Sequence, residues 1–179
     1  MFLLAGTLLV LSSCNFSKGV KKDLATGLSA SYNGFSIDDI YLVSGDQKLG
    51  SNTIPLGTKI AIVASGVENF TEKDGKVFPG CSILLTDKSG KEILKLPDAF
   101  ADMVNGTNAA DAKALQATLT TGNPMVAGET YHMKARFYDK NKKGKRDCCQ
   151  CGFADAIGGH SLVNHAISMP PHRPECSIW

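Results

Sequence analysis

The chain has 179 residues and carries 19 Lys and Arg against 17 Asp and Glu, a formal net charge of +2. That balance excludes the strong cationic field on which nucleic-acid binding depends, so no nucleic-acid partner is expected. With 43% hydrophobic and 20% charged residues, the composition is that of one globular domain of ordinary size.

The N-terminus opens on an apolar run, Phe2 to Leu11, followed by Ser12, Ser13 and Cys14. A bilayer span needs about 20 apolar residues, whereas a signal-peptide core needs about 7–15, so the run fits a leader. Leu11-Ser12-Ser13-Cys14 resembles the lipobox of bacterial lipoproteins: a branched residue, two small residues that a signal peptidase admits, then cysteine. The resemblance implies that residues 1–13 are removed as a signal peptide and that Cys14 carries lipid. It further implies palmitate among the acyl chains, a membrane held through that anchor as partner, and residence in the cell envelope. Asn15 rather than aspartate after the cysteine implies the outer membrane under the enterobacterial sorting rule. Two or three acyl chains hold a protein durably where one holds weakly. Residues 14–23 then read as a solvated tether.

From Leu24 onward, short alternating or apolar runs are separated by turn residues every 8–12 positions, the spacing of an all-β sandwich or barrel. Leu24 to Tyr32 is a first strand, closed by the hairpin signal Asn33-Gly34, and Phe35 to Val43 follows. Ile54-Pro55-Leu56-Gly57 is an edge-like approach, and Lys59 to Ala64 (KIAIVA) is a buried central strand. Cys81 to Thr86 and Glu92 to Leu96 form the next pair, and Asn108 to Asp111 is set to cap a helical turn. Leu115 to Thr120 is a further strand. In Tyr131 to Asp139, Tyr131, Met133, Ala135 and Phe137 alternate with His132, Lys134, Arg136 and Tyr138, giving one buried and one wet face. Cys81 reads as a small core hydrophobe.

Gly128-Glu129-Thr130-Tyr131 resembles the tyrosine corner of immunoglobulin-like sandwiches, in which a tyrosine at the start of the sixth strand bonds to upstream backbone. The resemblance implies an immunoglobulin-like antiparallel β-sandwich over residues 24–145, with Gly128 and Tyr131 in a structural role. Such a fold needs a seventh strand after the loop Asp139 to Lys145. Arg146 to Phe153 (RDCCQCGF) reads as a poor strand, so residues 146–179 are expected to be an irregular tail. A frame advanced by one base turns every Cys codon into Val or Ala and permits GIVASV from position 146, which is the expectation of a frameshift.

Cys148-x-x-Cys151 and His160-x4-His165 are the weak metal candidates, with zinc-ligand spacing in each half but a short gap between them. Asp139-x-Asn141-x-Lys143-Gly144 brushes a calcium loop, yet Lys143 stands where an oxygen ligand is required, and a hairpin turn is the expected role. The sequence contains neither G-x-S-x-G nor H-E-x-x-H, and the neighbours Asp38 and Asp39 would point to opposite faces of a strand. The expectation is therefore a non-enzymatic, cofactor-free binding, adhesion or assembly module whose partner is an envelope protein or a glycan. The alternatives are a carbohydrate-binding lipoprotein, with Tyr138 on the wet face as its candidate ligand surface, and an envelope hydrolase.

Overall fold

A computed structural model describes residues 18–142 and the backbone of residues 148–153. The protein is all-β, as expected: the described residues form a six-stranded and a four-stranded antiparallel sheet, with one 3-10 turn at Asp111–Lys113. The strands are β1 (Lys18–Asp23), β2 (Leu28–Asn33), β3 (Asp39–Ser44), β4 (Gln47–Lys48), β5 (Lys59–Ser65), β6 (Pro79–Asp87), β7 (Glu92–Leu96), β8 (Ala114–Thr120), β9 (Tyr131–Asp139) and β10 (Cys148–Phe153). The larger sheet runs β1-β2-β10-β9-β6-β7 and the smaller β4-β3-β5-β8.

Period-two alternation puts one face of each sheet into a shared core. Leu28 and Ala30 of β2, Cys81, Ile83 and Leu85 of β6, and Met133, Ala135 and Phe137 of β9 come from the larger sheet. Against them stand Ile40 and Leu42 of β3, Ile60, Ile62 and Ala64 of β5, and Leu115, Ala117 and Leu119 of β8. Burying each large apolar side chain contributes about 1.5–3 kcal/mol, so this double layer is what holds the sandwich closed. The Tyr131 hydroxyl accepts a hydrogen bond from Val126 N–H at 2.7 Å, which ties the start of β9 to the loop before it.

Four local readings are corrected. Lys18–Asp23, read as tether, is an edge strand paired along its length with β2. The first strand does not begin at Leu24, which is 92% exposed in a turn. Asp23 organises that turn, its carboxylate accepting from Ala25 N–H at 3.1 Å and from Thr26 Oγ1 at 2.8 Å.

Asn33-Gly34 does turn the chain, with Gly34 at φ 81°, but it forms no hairpin, because β3 pairs with β4 and β5 in the other sheet. The buried Phe35 and Ile37 explain the change of sheet, since they plug the gap between the layers and leave strand pairing to resume at Asp39. At Asn108 the side-chain amide donates to the Asp111 carboxylate at 3.3 Å instead of capping backbone, and the turn that follows is 3-10.

The largest correction concerns RDCCQCGF. Cys148–Phe153 forms a strand as it stands, between β9 and β2 and antiparallel to both. Cys149, Cys151 and Phe153 stand opposite Phe137, Ala135 and Met133, positions on the core face, while Cys148, Gln150 and Gly152 alternate with them. The period-two pattern is present once cysteine is counted as the small hydrophobe it is. No change of frame is required for that strand; residues 143–147 and 154–179 lie outside the described part of the chain.

Candidate functional site

The alternation of β9 presents His132, Lys134, Arg136 and Tyr138 on the outer face of the six-stranded sheet. Tyr138 pairs across the ladder with Gly80 of β6, and its ring covers that glycine so closely that any Cβ there would run into it. Gly19 and Tyr32 repeat the arrangement between β1 and β2. In both pairs the missing glycine side chain leaves a gap on the pleated surface that the neighbouring ring fills. Arg136 lies over the Tyr138 ring at 5.8 Å from its centroid.

A polar cluster closes the Tyr138 end of this face. Lys140 Nζ sits 2.8 Å from Asp98 Oδ2 and donates to the Phe100 carbonyl at 2.7 Å. Asp98 Oδ1 accepts from Cys81 N–H at 3.1 Å and Phe100 N–H at 2.9 Å. Burial acts most strongly on the Asp98 carboxyl and would raise it. The Lys140 ammonium and the two backbone donors together outweigh burial and hold it below the usual carboxylate range. The cluster ties the segment after β7 to the ends of β6 and β9, so its bonds are spent on the fold.

Tyr138 is pushed up to about 12, first by burial and then by the negative Asp98 carboxylate beside it. An unfolded tyrosine ionises near pH 10, so the folded state holds this proton where the unfolded state releases it. The resulting stability is intact below about pH 10 and is lost as pH rises toward 12. An ultraviolet phenolate titration of the wild type is expected to contain a component near pH 12 that is lost in Tyr138→Phe. Loss in that variant of a component titrating near 10 instead would refute the assignment.

Further along the same face, Leu84, Thr86, His132 and Lys134 line a shallow hollow of ≈ 250 Å³. That is below the roughly 300–1,000 Å³ of ligand pockets that enclose a small molecule, so the hollow suits a side chain or head group lying on the surface. Arg136 Nε is buried and has no hydrogen-bond acceptor among the described residues.

The remaining predicted site residues are distributed as follows. Asp38 and Asp39 are both exposed; the first leans over Gly66 and the second pairs with Lys48 at 3.5 Å. Asp139 is structural: Oδ2 accepts from Thr71 N–H at 2.7 Å and Oδ1 from Asn141 N–H at 2.9 Å, which forms the expected turn and pins β9 to the loop after β5. Cys148 stands opposite Tyr138 and Cys151 opposite Ala135, register positions on opposite faces of the sheet. Leu11, Ser12, Ser13, Cys14, His160 and His165 lie outside the described residues.

Sequence reasoning placed Tyr138 on the wet face but missed Asp98 and Lys140, whose pairing depends on a contact across 42 positions that no local pattern signals. No protein-family model matches the chain, and no curated protein matches it.

Proposed function

We propose that this protein is a lipid-anchored component of the bacterial cell envelope, acting as a non-enzymatic binding, adhesion or assembly module built on an immunoglobulin-like sandwich. The observation that carries the proposal is the lipobox-like Leu11-Ser12-Ser13-Cys14 after an apolar run, set only three residues ahead of β1. A cysteine at that point would hand the folded body directly to a membrane.

The sandwich type is supported by strand order. With β3, β5 and β8 taken as the first, second and fifth strands, and β6, β9 and β10 as the third, sixth and seventh, the neighbours match those of an immunoglobulin domain. The Tyr131–Val126 bond agrees with that assignment. The hairpin β1–β2 extends the seventh strand's edge. A binding role is supported over hydrolysis by the chemistry of Asp98 and Tyr138, two groups with shifted ionisation, which are engaged with Lys140, Gly80 and backbone of their own domain. The same packing weighs against Tyr138 as an open platform for a sugar.

Expression with labelled palmitate is the test. The label is expected on the wild type, at least tenfold above Cys14→Ser, and the variant is expected to leave the membrane fraction. Equal labelling of the two would remove the anchor.

A further inference from the structure

Cross-strand register groups the outer residues of the six-stranded sheet into rows. One row reads Lys22 (β1), Ser29 (β2), Gly152 (β10), Lys134 (β9), Leu84 (β6) and Lys95 (β7). The next reads Val20, Ser31, Gln150, Arg136 and Ser82, with Lys18 one pleat beyond Val20. Five cations thus occupy strand positions of one face, and the carboxylate among those positions is Glu92, which pairs with Lys95 at 3.3 Å. The chain as a whole is only +2, so the positive charge is concentrated here. Between Lys18 and Lys22, Val20 is 64% exposed.

We propose that this face lies on the membrane and is held there by anionic phospholipid headgroups. Two observations besides charge favour a bilayer as the occupant. Four Cα steps separate Cys14 from Lys18, a reach of at most about 14 Å, and β1 is the edge strand of this same sheet. An acylated Cys14 therefore brings Lys18, at the start of the edge strand that also carries Val20 and Lys22, within about two Debye lengths of the headgroup layer at physiological salt. A basic edge carrying an exposed valine is the composition that settles into an anionic interface. Lys134 and Arg136 lie three strands away, about 14 Å across the sheet, so a body lying flat engages both ends of the face together.

This inference rests on acylation of Cys14, and the experiment separates the two. The full-length lipidated protein is reconstituted into phosphatidylcholine vesicles, with and without 30% phosphatidylglycerol, and its lysines are footprinted with an amine-reactive reagent. In the anionic vesicles Lys18, Lys22 and Lys134 are expected to react at least fivefold more slowly than in neutral ones. Lys48 and Lys59, on the other sheet, are expected to react equally in both. Protection should vanish at 1 M salt, and protection of Lys134 should be lost in the exposed-site variant Lys18→Glu/Lys22→Glu. Vesicle association without lysine protection would overturn the docking face and leave the anchor standing, whereas failure of the lipid label on Cys14 would overturn the anchor. Protection by a soluble anionic polysaccharide, with none from phosphatidylglycerol, would overturn the membrane as the occupant.

Discussion

Phe137→Ala is expected to lower the free energy of unfolding by about 3–5 kcal/mol, enough to consume much of the stability of a domain this size. Phe137 is 0% exposed, stands in the central strand β9 opposite Cys81 and Cys149, and stacks on Phe100 at 6.2 Å between centroids. Truncation removes the transfer energy of the ring and leaves a void between two sheets that cannot close without moving a strand. Denaturant unfolding followed by circular dichroism measures the change. Phe137→Leu, which refills most of the volume, should recover more than half of the loss. A loss below about 1 kcal/mol for the alanine variant would mean that the ring is not part of a packed interior.

Asp139→Ala is expected to cost about 2–4 kcal/mol, because the two backbone donors it satisfies would each be left without a partner. The carboxylate is 5% exposed, so water does not readily replace it. Asp139→Asn keeps one acceptor oxygen but turns an amide NH2 toward the other donor, so it should cost roughly half as much. Equal losses in the two variants would show that charge, rather than the pair of acceptor oxygens, is what the site requires. Hydrogen exchange at Thr71 and Asn141 amides gives an independent reading, and both should speed up together.

Most strands were legible because their signals are local. KIAIVA and the alternation of Tyr131 to Asp139 declare a buried and a half-buried strand from neighbouring residues alone, and Glu92–Leu96 and Tyr131–Asp139 fall where expected. What local patterning could not give was partner choice. Asn33-Gly34 has hairpin chemistry, yet the apolar demand of Phe35 and Ile37 sends the chain to the opposite sheet. Lys18–Asp23, rich in lysine, has the look of a solvated linker; it is a strand because β2 offers it a ladder, and its lysines suit an exposed edge. In Cys148–Phe153 the alternation was hidden by the chemical reputation of cysteine, whose size and polarity suit a core position. The Asp98–Lys140 pair had no legible signal, since the two residues are brought together only by tertiary packing.

The placement of β10 between β2 and β9 makes it the keystone of the larger sheet. Its partner Ala30 lies roughly 120 positions earlier in the chain, a separation that slows closure. As the chain is synthesised, the amino-terminal hairpin emerges first and must wait for nearly the whole body before it can dock. Until then β2 and β9 both offer bare hydrogen-bonding margins to any neighbouring chain. A chain shortened before residue 148 would never leave that interval.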